Sequence, residues 1–263
     1  MMNEPDRSRN HHGRTARSDP FRRLVEQAYR VFERPAPRHV PGCACAFCAD
    51  SGLSVTLAGR PARDWNEADV ARWFARATGD GRGREGVEVE SKTDRAVFRF
   101  LLPRVLDILA AGSTPNGGPY GRTFQQFAPM RQPAAWSSDE RSLLDRFAAL
   151  LLDRSIQDAD WDHDLFETLQ LLAFGGWPLR GLLQQALADP DLPAALARCW
   201  GRAGRRHTLF PGRWPPGATL ALRNAFVSPL MSERLMNYAM ADGTTPEEIE
   251  AAMRTADLIL RSR

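Results

Sequence analysis

His39, Cys43, Cys45 and Cys48 bring one imidazole and three thiols into a stretch of ten residues. Zinc takes thiolates and imidazole nitrogens, four at a time in a tetrahedron, and a C-x2-C turn such as Cys45-Ala46-Phe47-Cys48 lets two sulfurs reach one ion from the same side. Gly42 gives the chain a turn that adds Cys43 as a third sulfur, and His39 closes the sphere. The expected product is a local Cys3His site for one structural zinc ion or another thiophilic metal. A closed site leaves no coordination position for water, and apparent binding energies of about 10 kcal/mol make it an element that holds the fold. Zinc modules ordinarily draw a second ligand pair from a separate segment, for which Cys199 and His207 are the candidates. Two other readings of the thiols stay open: inert clustered cysteines, and a redox pair. Thioredoxin-type chemistry, however, wants its C-x-x-C at a helix N-terminus in a βαβ setting, and none is visible in this sequence.

Asp158-Ala159-Asp160-Trp161-Asp162-His163-Asp164 imitates the start of a calcium loop. An EF-hand needs glycine at the sixth position and glutamate at the twelfth, where this chain has His163 and Leu169. The acids are expected instead to cap a helix and complement its dipole. His163 and Glu167 stand one helical turn apart, the spacing of a solvated i, i+4 pair and also of an acid/base or metal pair. Arg202-Ala203-Gly204-Arg205-Arg206-His207, followed by Phe210 and Trp214, is the sharpest basic cluster and offers phosphate grip and base stacking. No P-loop, G-x-S-x-G or H-E-x-x-H motif occurs, and Gly81-Arg82-Gly83-Arg84-Glu85-Gly86, which has the G-x-G-x-x-G spacing, lies in a charged loop segment without the strand-to-helix setting that motif needs, so no reaction is named by motif.

Helices must position these groups. Asp19-Pro20 reads as a cap followed by proline at the first helical position, with Phe21, Leu24, Val25, Ala28, Val31 and Phe32 on one face. Asn66 caps a second helix through about Ala77, with Trp65 stapled on Val70. Gly79 to Glu90 reads as a flexible loop. Val97 to Leu109 is core, and Pro103 within it either kinks one helix or starts a second that stops near Gly112. Ser137-Ser138-Asp139-Glu140 has capping-box form before the apolar series Leu143 to Leu151, and Thr245-Pro246-Glu247-Glu248 repeats the form. Further helices are expected over 162–174, 178–188, 192–200, 229–241 and 246–261. Period-two alternation is confined to Leu53–Leu57 and Val87–Val89. The fold class is therefore all-α, an irregular multi-helix bundle or a stacked helical array with a small Cys-rich loop. Residues 1–18 read as a disordered tail, 19–112 as an N-terminal helical half with the Cys loop, 113–135 as an irregular connection, and 136–263 as a C-terminal half that can share one domain with 19–112.

The segment Phe98-Arg99-Phe100-Leu101-Leu102-Pro103-Arg104-Val105-Leu106, with Cys45 and Cys48 upstream and the Trp136 to Phe147 helix start downstream, resembles a loosely defined bacterial group of helical proteins. The group is similar in its short cysteine loop, its F-R-x-F-L-P-R type segment and a W-x-x-x-E helix start. The likeness covers roughly Phe21 to Leu152, and Cys43 and the glycine-rich insertion at Gly79 to Gly86 depart from it. It implies fold class and no activity.

Charge and composition narrow the function classes. The 35 basic and 32 acidic side chains give a net charge of +3, too balanced to favour nucleic acid. Lys92 is the only lysine, an arginine bias that a G+C-rich coding sequence explains. The apolar run Ala148 to Leu152 is far short of the about 20 residues of a membrane helix. The N-terminus has no apolar signal region, and clustered cysteines suit a reducing compartment, so a soluble, cytoplasmic protein is expected. Good caps and abundant core without assembled chemistry point to a scaffold that binds another protein. The alternatives are a metal-dependent hydrolase using His39 and the cysteines with an acid from a neighbouring helix, and a nucleic-acid binder using Arg202 to His207.

Overall fold

Pro20 opens α1 (Pro20–Val31), and Phe21, Leu24, Val25 and Ala28 form its buried face. A computed structural model describes this and the rest of the fold over residues 20–38, 40, 58–79, 92–125, 127–202, 209–210 and 212–262. Asn66 caps α2 (Glu67–Gly79), its side-chain oxygen accepting from the Asp69 amide at 2.8 Å. Trp65 and Val70, on either side of the cap, are both fully buried, as a hydrophobic staple requires.

α3 (Lys92–Ala110) buries residues on every side, from Val97 to Leu109, and so lies inside the molecule instead of on its surface. Pro103 neither ends it nor divides it. One helix runs through the proline, whose missing N–H leaves the Arg99 carbonyl without its helical partner, a cost that burial of Leu101, Leu102, Val105 and Leu106 offsets. α3 stops in a Schellman turn: Gly112 has φ +81°, its amide reaches Leu109 O at 3.0 Å, and Ser113 N reaches Ile108 O at 3.0 Å.

The connection that follows is built from 3-10 turns at Tyr120–Arg122, Pro129–Arg131 and Pro133–Ala135, and it sends Tyr120, Phe124 and Phe127 into the core. α4 (Ser138–Gln157) then starts on a complete capping box, Glu140 N to Ser137 Oγ at 3.2 Å and Ser137 N to Glu140 Oε2 at 2.8 Å. Glu140 is buried and also meets Arg34 at 2.5 Å, which ties the end of α1 to the start of α4.

α5 (Leu165–Phe174) is the second helix buried nearly all round. It begins at Leu165, three residues later than periodicity suggests, because Asp164 and Glu167 form a capping box. Behind it come α6 (Leu179–Ala188), α7 (Leu192–Arg202), α8 (Ala218–Phe226), α9 (Pro229–Ala239) and α10 (Pro246–Arg261). α8 is absent from the expected helices. It follows Pro215-Pro216, has no side-chain cap, and starts from Gly217 at φ +78°, so none of the usual start signals precedes it. α10 packs on both α9 and α7, and α1 packs on α3 and α4. A single buried cluster runs from Phe21 to Ile259.

The chain is all-α, with no strand among the described residues. The strand candidates Leu53–Leu57 and Val87–Val89, the expected tail and all of the expected Gly79 to Glu90 loop except Gly79, which ends α2, lie outside the described residues. No helix of the described residues is long and apolar enough to cross a membrane.

Candidate functional site

The residues that carry the metal expectation, His39, Cys43, Cys45 and Cys48, lie outside the described residues, as do 203–208 of the basic cluster. Among the described residues no group of three or more His, Cys, Asp or Glu side chains could hold a metal ion. Cys199, one candidate for a distant ligand, is buried on α7, and burial, with the nearby Asp164 charge adding to it, pushes its thiol up to about 12. A thiol so held stays protonated, which disfavours it as a nucleophile in the folded state.

His163 and Glu167 do meet, Nδ1 to Oε2 at 3.4 Å, but the imidazole is not a solvated group. It stacks on Tyr120 at 3.6 Å between centroids, and Nε2 lies 2.7 Å from Gly112 O. Both ring nitrogens thus face oxygen acceptors, and the histidine fastens the end of α3 and the Tyr120 turn to the start of α5. The 113–135 connection, which passes Tyr120 across the imidazole, made that packing invisible to spacing rules. Tyr120 is enclosed so completely that its hydroxyl has no partner among the described residues, and burial, reinforced by Glu167, holds it well above the ordinary phenol range.

Surface chemistry concentrates elsewhere. Seven large apolar side chains are exposed among the described residues, and all seven lie in or directly after α8, α9 and α10: Leu220, Leu230, Met236, Met240, Met253, Leu258 and Leu260. Met240 is 82% and Leu230 65% exposed, so these are whole side chains in water and not edges of the core. Met236 and Met240 stand i, i+4, and Met253 and Leu260 stand i, i+7, so each pair shares one flank of its helix. α9 and α10 lie against each other, so the two pairs belong to one helical hairpin.

Their backbone is well fixed. Ser228 caps α9 through the Met231 amide at 3.2 Å, and Thr245 caps α10 through the Glu248 amide at 3.3 Å with the reciprocal Glu248 bond at 2.9 Å. Arg234 anchors α9 to the end of α6 by donating to Leu187 O at 2.8 Å and Asp189 O at 2.7 Å. Spacing alone does not reveal this surface, because Met and Leu at helical intervals have the pattern of core. The signal that marks them is the width of the apolar set on α10, where Met253, Leu258 and Leu260 fall outside the stripe of Ala252, Ala256 and Ile259.

Fold and surface together define an all-helical protein with a rigid, partly apolar C-terminal hairpin. No family model, curated protein or solved structure matches the chain.

Proposed function

We propose that this protein is a helical scaffold that binds another protein, and that the α9–α10 hairpin receives an amphipathic helix with a basic flank. The carrying observation is the confinement of every exposed large apolar side chain of the described residues to α8–α10. Apolar residues scattered singly over a surface need no explanation, whereas a concentrated set marks an interaction site. Three of the seven are methionines, whose unbranched, polarisable side chains adapt to a partner's apolar stripe. Residues 218–262 carry six acidic side chains and four arginines in a chain whose net charge is +3, so this face favours a cationic partner.

The test uses two synthetic helical peptides with the same leucine stripe, one flanked by lysine and one by glutamate, titrated into the full chain. The lysine peptide is expected to bind at least tenfold tighter, and Met240→Glu and Met253→Glu to weaken it tenfold or more with unchanged helicity. Equal binding of both peptides, indifference to both substitutions, or self-association of the chain through this face in sedimentation would each overturn the reading.

In the same reading His39, Cys43, Cys45 and Cys48 hold one structural zinc ion, supported by their ligand types and the C-x2-C spacing. Metal analysis is expected to find one equivalent of zinc, lost together with thermal stability in Cys45→Ser and Cys48→Ser. Metal-free wild type with unchanged stability in chelator would remove the ion from the proposal.

A further inference from the structure

Between α3 and the turns at Pro129–Arg131 and Pro133–Ala135 lies a cavity of about 100 Å³. Its apolar wall is a stack of rings: Phe98 and Phe127 lie parallel with centroids 4.9 Å apart, and Trp73 stacks on Phe127 at 5.2 Å. Trp136 forms another side, fixed by its indole N–H donating to Pro129 O at 2.6 Å and by the edge-on ring of Phe32 at 5.7 Å.

The polar lining is cationic. Arg95, Arg99 and Arg131 all face the cavity with Gln132, and no carboxylate lines it. No ion pair joins Arg99 or Arg131 to a carboxylate among the described residues. Two of the guanidinium groups have fixed neighbours. Arg99 lies 5.0 Å from the Trp136 centroid, and Arg95 donates to Gln132 Oε1 at 3.3 Å.

Fold stability alone does not favour this arrangement. Arg99 and Arg131 bring like charges to one cavity with no carboxylate among its lining residues, which repels. The turn carrying Arg131 is seated with care: Met130 N donates to Gly175 O at 2.8 Å, and Gly176, at φ +89°, leaves room for the Arg131 backbone, which a Cβ there would meet at 2.5 Å. An anion bound between the guanidiniums would relieve this repulsion.

We propose that this cavity binds a small organic anion, a single ring seated against Phe98, Phe127 and Trp136 with a carboxylate or phosphate head between Arg95, Arg99 and Arg131. Guanidinium forks match both oxyanions geometrically. An enclosed apolar cavity of about 150 Å³ holds a whole benzene, so this one of about 100 Å³ seats only the inner part of a single ring and leaves the head at the rim, beside the exposed Arg131. This site stands apart from the hairpin reading and fails or survives independently of it.

Calorimetric titration of the full chain with benzoate, phenyl phosphate, benzyl alcohol and inorganic phosphate tests it. Saturable 1:1 binding of benzoate or phenyl phosphate is expected, weakened at least tenfold by Arg99→Gln and by Arg131→Gln, with the tighter of the two identifying the head. Arg131 is exposed on a 3-10 turn, so its substitution leaves the fold intact even where Arg99→Gln does not. Benzyl alcohol binding as tightly as benzoate would show that charge is irrelevant, and inorganic phosphate matching both aromatic anions would show that the ring wall is. Either result, the absence of saturation by all four probes, or unchanged affinity in Arg131→Gln overturns the proposal.

Discussion

Cys199 shows how burial rewrites the chemistry of a single side chain. With its thiol pushed up to about 12 by desolvation, it is expected to resist alkylation in the native state and to react only on unfolding, read by mass-spectrometric mapping of modified cysteines. The sign of its pH linkage follows. The unfolded thiol ionises near 9.0 while the folded one stays protonated, so its share of stability is intact below pH 9.0 and is lost as pH rises toward about 12. Tyr29 acts in the same direction, raised to about 12 by burial and by Asp107. At Gly176 the backbone sets the constraint. Alanine there meets both the positive φ and the Arg131 backbone, so Gly176→Ala is expected to lower stability by about 2–3 kcal/mol in denaturant titration.

At the scale of the element, caps decide where helices begin and how firmly. Thr245→Ala removes the acceptor for the Glu248 amide at the start of α10 and is expected to cost about 1 kcal/mol, with faster hydrogen exchange in the first turn. Hydrogen bonds from the Thr245 amide and hydroxyl hold the Glu248 carboxyl below its ordinary value of 4.5. That contribution is present above pH 4.5 and is lost as pH falls through the lowered folded value, so the first turn of α10 loosens in acid. Gly181 offers the opposite test. It lies inside α6 with nothing within 4 Å of an added Cβ, and Gly181→Ala is expected to raise stability by roughly 0.5–1 kcal/mol through lost chain entropy in the unfolded state.

For the whole molecule, the unbroken apolar cluster from Phe21 to Ile259 is the governing feature. Phe124 and Phe127, from the irregular connection, join it by packing on Phe98 of α3 and Trp177 beyond α5. Heating is therefore expected to unfold the chain in one calorimetric transition, and Phe98→Ala to lower the stability of that transition by about 3–5 kcal/mol. Two resolved transitions, with only the earlier one shifted by the substitution, would show instead that residues before and after the connection unfold separately.

Sequence alone determined the helical class and most helix boundaries, because these rest on local physics: the capping boxes at Ser137 and Thr245 and the Asn66 cap involve residues three positions apart, and the apolar period is written along each segment. The His163–Glu167 contact forms as well, but His163 precedes the Asp164 cap and stands outside α5, so helical spacing is not what brings the two together. What lay beyond local rules was any contact across large separations. Nothing near His163 announces the ring of Tyr120 or the carbonyl of Gly112, and nothing near Arg99 announces Arg131. Exposure behaves the same way: Met240 and Met231 are one residue type on one stretch of chain, and only the packing of α9 against its neighbours leaves the first in water and the second in the core. Tertiary structure alone decides such matters, because burial and charge convergence depend on where distant segments come to rest.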